Sequence, residues 1–499
     1  MRTTIAVLNK KGCDARQALV PALEQLGQGD CHFTLASPIR ILEADDARVL
    51  REASLGSPVL IGCVSPGNLD GDNSQIAQIG NAVSLFEGRL YSDSHGALHA
   101  LMQQQEKNIA CERIMRNLLT ETEGDFSLII AEPQKLLATR DPMGVQPLYY
   151  GESEDLAAVA SNRLALWTLG ISRPYSFPPG NVASASHKGF EFIPVKTLYC
   201  PELRSVTISD ATGTMQQLLE HSIRVRLRGL GSVAVAFSGG LDSSLIAFLA
   251  KKCPVNVQLV HVSLRGQAET EEAKKAADEL KLPLSVYLHE AEEVEKTLPE
   301  VVRLIEEPDP VKTAVGVPFY WIAKKAAESG FRILLAGQGA DELFGGYRRY
   351  VDEYLSYGKE KVREIMFQDV LWLHKSNIER DEKISRFHGV ELRLPFASYE
   401  IAEFALSLPL ELKLEKKADG LRKLLLRRIA LNLGLPDDIV CKPKKALQYG
   451  TGVSAILGKI AKKHSMTFAE YVERLFRQQR NTGKENTDAK SGSREQCGI

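Results

Sequence analysis

None of the eight cysteines, at positions 13, 31, 63, 111, 200, 253, 441 and 497, forms a Cys-x-x-Cys pair within the 499 residues. That scatter speaks against a structural zinc site and a disulfide framework, and it fits a reducing, cytoplasmic compartment. No run of 18 apolar residues occurs, and Met1 to Leu8 lacks the long apolar core of a signal peptide, so no membrane association is expected. An excess of charge is missing too: 62 basic against 63 acidic side chains leave a net charge of −1, without the basic footprint of a nucleic-acid binder. A Gly-x-x-x-x-Gly-Lys-Ser/Thr loop is absent, because the Gly-Lys pairs ending at Lys359, Lys459 and Lys484 have Glu353, Val453 and Gln478 where the upstream glycine belongs. Kinase-like γ-phosphoryl transfer is thereby disfavoured. Ser238 lacks the first glycine of a nucleophile elbow, having Ala236 in its place.

With 44% hydrophobic and 25% charged residues, the chain has the composition of a globular protein large enough for two or three domains. Residues 1 to about 185 read mainly as strands, at 59–64, 82–86, 126–131, 136–139 and 157–160, with helices near 15–26 and 110–119. Residues 178–203 read as a linker with one or two short strands. The second half changes rhythm: helix 214–228, strand 233–237, helix 245–252, strand 257–262, helix 270–280, and strands 284–288 and 332–335. This is the βαβ alternation of a parallel sheet, whose ligands gather at the carboxyl ends of the strands.

The strand Val233-Ala234-Val235-Ala236-Phe237 leads directly into Ser238-Gly239-Gly240-Leu241-Asp242-Ser243-Ser244 and then a helix. Two glycines let the backbone turn sharply towards a ligand, and the opening N–H groups of the helix face negative oxygens, so the segment reads as a pyrophosphate cradle. A second glycine-rich segment, Ala336-Gly337-Gln338-Gly339-Ala340-Asp341-Glu342-Leu343-Phe344-Gly345-Gly346-Tyr347, follows the last strand. Asp242 and Asp341, one from each loop, suit a magnesium ion that keeps phosphate and water ligands.

Three further segments carry charge. Glu391 and Arg393 lie inside the apolar run 389–396, where an internal ion pair and a ligand contact are equally good readings. Lys423 and Arg427 are spaced i, i+4 and read as a solvated helix face. The loop Cys441-Lys442-Pro443-Lys444-Lys445 offers lysines that reach polyphosphate or a developing oxyanion, or simply an exposed basic loop.

Taken together, SGGLDSS at 238, GQGADELFGGY at 337, GVELRLPF at 389 and the lysine loop at 442 resemble the glutamine-dependent, two-domain asparagine synthetase family in order and spacing. The resemblance implies an α/β chain: an αββα sandwich of the N-terminal-nucleophile amidotransferase kind, then a parallel-sheet ATP-pyrophosphatase domain. The implied limits are a glutaminase-like domain over 1–185, a linker over 186–212, the synthetase domain over 213–476 and a disordered tail over 477–499. It implies ATP and Mg2+ as cofactors, attack of the aspartate side chain on the α-phosphate, and conversion of the β-aspartyl adenylate to asparagine. Carried onto matching positions, it makes Ser238, Gly239, Gly240, Leu241, Asp242, Ser243 and Ser244 the pyrophosphate loop, with Asp242 and Asp341 the metal ligands. Phe237, Val262, Ala336 and Gly337 match adenosine contacts, and Lys444 matches a lysine beside the activated intermediate.

The amino-terminal half resembles the family's glutaminase domain at Gly124-Asp125-Phe126-Ser127, at Arg140-Asp141-Pro142-Met143-Gly144 and at Ala160-Ser161-Asn162-Arg163. Its chemistry departs from the pattern. Glutamine-hydrolysing members expose a cysteine at position 2, whereas Arg2 stands here. Gly27-Gln28-Gly29 replaces the Arg-Gly that binds a carboxylate, and Glu87-Gly88 replaces the Asn-Gly of the oxyanion site, with Asp93 a weak match for the amine ligand. Gln338 stands where many members carry glutamate, so it orients by hydrogen bonding and cannot act as a base. The expectation is a ligase fed by ammonia, through an inactive first domain. Alternatives are a β-lactam-synthetase-like enzyme adenylating another carboxylate, and a regulatory subunit with a retained nucleotide site. Glutamine as a ligand, a homodimer and a separate glutaminase partner stay open.

Overall fold

The computed structural model describes residues 2–27, 29–53, 55–67, 75–91 and 110–492, the last twelve of these by backbone alone. Asp93 and Gln28 lie outside the described residues. Two compact units divide the chain: residues 1–204 with 367–379 and 397–407, and residues 205–366 with 380–396 and 408–499.

In the first unit, strands β1 (Thr3–Asn9), β2 (Cys31–Ser37), β3 (Arg40–Ala44), β4 (Val59–Pro66), β5 (Gln75–Ile79), β6 (Ala82–Leu90), β7 (Gly124–Glu132), β8 (Lys135–Arg140), β9 (Tyr149–Glu152), β10 (Leu156–Ala160), β11 (Tyr175–Ser176), β12 (Asn181–Ser186) and β13 (Gly189–Pro194) form two sheets. Their orders are β11-β9-β10-β1-β4-β2-β3 and β13-β12-β8-β7-β6-β5. Alternation along β1 shows how they stack: Ile5 and Val7 face helix Arg16–Leu26 with Leu19 and Leu23, while Ala6 and Leu8 face Leu85, Ile129 and Ala138 of the other sheet. The outer face of the second sheet packs Phe86, Phe126 and Leu128 on Ile114, Met115 and Leu118 of helix Cys111–Glu121. The unit is an αββα sandwich. The stretch 178–203, read as a linker with one or two short strands, contributes β12 and β13, which form a hairpin continuing from β8.

The second unit holds a five-stranded sheet, β14 (Ser232–Ala236), β15 (Asn256–Leu264), β16 (Leu284–His289), β17 (Ile333–Leu335) and β18 (Glu391–Arg393), in the order β16-β15-β14-β17-β18. Every pairing is parallel. β15 and β16 extend the sheet to one side of β14 and β17 extends it to the other, so the order reverses between β14 and β17. Such a reversal opens a crevice outside the strand ends, where ligands bind in open α/β sheets.

Two expectations change. The run 389–396 contributes the edge strand β18, and Arg393 pairs internally with Glu391 at 2.7 Å, which leaves it the structural ion pair rather than a ligand contact. The backbone is helical over Phe468–Gly492, through most of the stretch read as a disordered tail. That stretch has few apolar residues, but it is rich in Gln, Arg, Lys and Glu and contains no proline, a composition that permits a helix.

Candidate active site

β14 runs into Phe237-Ser238-Gly239-Gly240, and helix Leu241–Lys251 begins at once, four residues before the expected start. Asp242, Ser243 and Ser244 therefore stand in its first turn. Gly239 has φ +65, and a Cβ there would sit 2.9 Å from Ala273 Cα, so both backbone angle and space call for glycine. The Ser238 and Ser243 hydroxyls lie 3.3 Å apart, and the Gly240 N–H donates to Ser238 Oγ at 3.3 Å. The first-turn N–H groups have no intrahelical acceptor, which leaves the loop a concentrated set of donors for an anion. Ser244 is fully buried, and its Oγ has no hydrogen-bond partner among the described residues. Phe237 continues the ladder to Val260 at 2.9 Å, and Val262, two residues further along β15, is buried.

β17 runs into Ala336-Gly337-Gln338-Gly339 and then helix Ala340–Phe344, which carries Asp341. The two loops touch: a Cβ on Gly337 would lie 3.4 Å from Asp242 Cβ. Gly346 closes this turn, and a Cβ there would collide with Asp341 Oδ1 and Lys423 Cε.

Lys423 is the residue that sequence reading missed. Its Nζ is 2.5 Å from Asp242 Oδ2 and 2.6 Å from Asp341 Oδ1, and Lys444 Nζ is 2.7 Å from Asp341 Oδ2. Lys423 is only 2% exposed, so the solvated-face reading is corrected. The reason is local: Lys423 adopts a left-handed φ of 57 as the residue before helix Leu424–Asn432, which takes it off the helix face the i, i+4 spacing suggested. Arg427 is also buried, its guanidinium donating to the carbonyls of Arg422, Val440 and Lys442 and so anchoring the lysine loop. Within that loop Lys442 reaches the Gly239 carbonyl at 3.2 Å, while Lys445 pairs with Glu269.

Two carboxylates and two ammonium groups leave this cluster neutral. Burial works against the charge on Asp341, but Lys423 and then Lys444 outweigh it and hold the carboxyl well below the usual range. Burial likewise opposes the Lys444 charge, and Asp341 and Asp242 more than offset it, so the ammonium persists above the usual lysine range. One oxygen of the cluster remains open: Asp242 Oδ1 is buried without a hydrogen-bond partner among the described residues. No group of three or more potential His, Cys, Asp or Glu ligands occurs among those residues. Two carboxylates with an open oxygen beside a loop rich in backbone N–H donors fit magnesium arriving with phosphate, and not a cage made of protein alone.

Gln338 Nε2 donates to Asp381 Oδ2 at 2.6 Å, and Arg380 holds the same carboxylate through Nε at 2.7 Å and Nη2 at 2.8 Å. Asp381 is fully buried. The acids Glu306, Glu307 and Asp309 are engaged internally: Glu306 pairs with Lys383 at 2.7 Å, Glu307 pairs with Lys312, and Asp309 caps helix Pro310–Glu328.

The first unit has a different set of side chains where β1 begins. Arg2 Nε donates to Cys63 Sγ at 2.8 Å, and Thr4 Oγ1 donates to the buried Glu87 at 3.2 Å. Burial pushes the Cys63 thiol up, so it is held as the neutral thiol. Gly88 has φ +104 with no room for a Cβ against the Asp125 carbonyl.

Fold and site together define a two-domain α/β protein, an amidotransferase-type sandwich followed by a parallel-sheet domain of the ATP-pyrophosphatase kind. Residues 214–359 and 351–492 match the asparagine synthase family, and residues 76–168 match the glutamine amidotransferase domain family. A protein of Methanocaldococcus jannaschii named among the glutamine-hydrolyzing asparagine synthetases is 32% identical over 416 residues, 74% of this chain and 76% of that one. The asparagine synthetase (glutamine-hydrolyzing) of Asparagus officinalis is 26% identical over 355 residues, 67% of this chain and 59% of that one. The chain belongs to the asparagine synthetase family. Among solved structures, a glutamine phosphoribosylpyrophosphate amidotransferase from B. subtilis complexed with ADP and GMP aligns at 13% identity and a TM-score of 0.30, over 57% of this chain and 65% of that one; a score this low carries no argument.

Proposed function

We propose that this chain is an ATP-dependent amide-forming ligase that adenylates a carboxylate, aspartate first among candidates, and takes ammonia as its nitrogen source. The observation that carries the reading is the meeting of Asp242, Asp341, Lys423 and Lys444 beside the 238–244 cradle, at the reversal point of the sheet. In the first step an oxygen of the acceptor carboxylate bonds to the α-phosphorus of ATP and pyrophosphate departs with the electron pair of the broken P–O bond. Ser238, Gly240, Ser243 and the first-turn N–H groups hold that leaving group, while Phe237, Val262, Ala336 and Gly337 border the adenosine. Asp242 and Asp341 would hold magnesium, which when bound neutralises charge on the phosphates. Lys444, kept charged by its neighbours, stabilises the oxyanion at the activated carbonyl. In the second step ammonia forms the C–N bond, AMP leaves with its acyl oxygen, and the proton passes to phosphate or water.

Three observations support ammonia as the donor. β1 opens with Thr3-Thr4 and carries no thiol, Cys63 on the neighbouring strand is buried and bonded to Arg2, and Glu87 brings a carboxylate where an oxyanion would need donors. Incubation with ATP, magnesium and aspartate, with either ammonium or glutamine, tests the reading. Asparagine and AMP should form with ammonium and not with glutamine. Sustained glutamine hydrolysis overturns the assignment of the nitrogen source, and exchange of pyrophosphate into ATP driven only by a different acid replaces aspartate.

A further inference from the structure

We propose that Glu269 and Glu272, on the helix Ala268–Leu280, are positioning residues that seat the lysine loop and so keep Lys444 within reach of the activated carbonyl. This rests on the amide-forming reading and adds two residues to it.

The loop has little backbone bonding of its own. Residues 442–446 form neither helix nor strand, and Lys444, Lys445 and Ala446 donate no hydrogen bond to another backbone group among the described residues. Its place is therefore set by its two ends and by side chains. At the entrance Arg427 holds the Val440 and Lys442 carbonyls, and at the exit the Thr451 carbonyl accepts the Leu264 N–H at 3.0 Å. Between those ends, both side-chain fastenings lead to one helix. Lys442 Nζ is 2.8 Å from Glu272 Oε2, and Lys445 pairs with Glu269. The two glutamates are spaced i, i+3 and are neighbours on one helix face, and the two lysines are also three residues apart. Lys444, which lies between them, takes no part in this pairing and reaches Asp341 Oδ2 at 2.7 Å.

The same helix abuts the 238–244 loop. A Cβ on Gly239 would lie 2.9 Å from Ala273 Cα and 3.2 Å from the Glu272 carbonyl oxygen, and Lys442 Nζ donates to the Gly239 carbonyl at 3.2 Å. One rigid element thus spaces the glycine turn from the lysine loop. The pairs are partly open to water, with the Glu272 side chain 52% and that of Lys445 55% exposed, so they add little to global stability. Their effect falls on where a short loop sits, and Glu269 and Glu272 act through it without touching substrate.

The double variant Glu269→Gln, Glu272→Gln keeps size and removes both charges. Trypsin cleavage after Lys444 and Lys445 should become about tenfold faster, with little change in melting temperature. Pyrophosphate exchange at saturating ATP should slow by about fivefold to tenfold, while the KM for ATP stays within about twofold. Lys445→Glu alone should slow exchange, and adding Glu269→Lys should restore it, a rescue that a purely steric role would not give. Unchanged cleavage in the double variant, or failure of the charge reversal to rescue, overturns the proposal. So does a rise in the KM for ATP with kcat unmoved, which would make the glutamates part of nucleotide binding instead. Absence of exchange with any acid in the unaltered protein is a different result: it removes the ligase reading, and the cleavage rates still decide whether the glutamates seat the loop.

Discussion

Asp242 and Asp341 share one ammonium group, that of Lys423, with Nζ–Oδ separations of 2.5 and 2.6 Å. Two like charges from separate loops are held together by a lysine almost fully withdrawn from solvent. Breaking such a pair from one side leaves uncompensated buried charge, typically a loss of about 3–5 kcal/mol. Lys423→Met should lower the chemical-denaturation stability by this order. Magnesium added without nucleotide should then raise the melting temperature of the variant more than that of the parent, since the two carboxylates are left needing a cation. Equal magnesium responses in the two proteins would show that the aspartates are not a cation site.

Gly346 sets a steric limit on the same cluster. Gly346→Ala pushes a methyl group into Asp341 Oδ1 and Lys423 Cε, and should reduce pyrophosphate exchange at least about 100-fold, roughly 3 kcal/mol, while circular dichroism stays native. Gly458→Ala is the control: it lies inside helix Val453–Lys463 with nothing within 4 Å of the added carbon, and should be neutral or stabilising by up to about 1 kcal/mol.

Acid sensitivity should trace partly to His374. Burial, and then the nearby Arg140 guanidinium, depress its pKa to about 4, so the folded chain keeps the imidazole neutral while the unfolded chain protonates it near the ordinary value. Stability from this group is therefore complete above about pH 6.5 and falls as pH drops towards 4, by about 3 kcal/mol in all. His374→Gln should flatten that part of a denaturation profile taken between pH 7 and 4. An unchanged slope would mean that the imidazole titrates normally.

Thiol labelling reports on the first unit. Iodoacetamide under native conditions should modify the exposed Cys13, Cys200 and Cys441 and spare the buried Cys31 and Cys63. An alkylating glutamine analogue should leave Cys63 unmodified, as burial keeps it a thiol and Arg2 occupies its sulfur. Stoichiometric labelling of Cys63 by the analogue would restore a glutamine site to this domain.

The strand–glycine–helix turn at 233–251 could be read from the sequence because its signal is local: a strand, two glycines and a helix start are contiguous, and β14 leads through them into helix Leu241–Lys251, which begins four residues earlier than expected. The pairing of Asp242 with Asp341 was legible for a similar reason, since each follows a glycine-rich loop at a strand end. Lys423 was not, because its partners are distant in sequence and the left-handed φ that takes it off the helix leaves no mark in composition. Asp381 was hidden in the run Glu379-Arg380-Asp381-Glu382-Lys383, which has the look of a solvated charged surface and is buried. β18 was too short, at three residues, for a period-2 pattern to register. The β12–β13 hairpin was legible only as one or two short strands within a linker, because proline and glycine flank it.

β1 pairs with β4 on one side and β10 on the other, with Ile5 opposite Ala160 and Leu8 opposite Ala157. The earliest of the described strands to leave the ribosome is thus a central one, and one of its edges stays open until residues 156–160 emerge. At about 5–20 residues per second, that interval is on the order of 10 s. Through it, the apolar run Ile5-Ala6-Val7-Leu8 presents unpaired backbone on that edge, so the newborn chain is more open to strand-to-strand association than the finished protein, and slower synthesis lengthens the exposure.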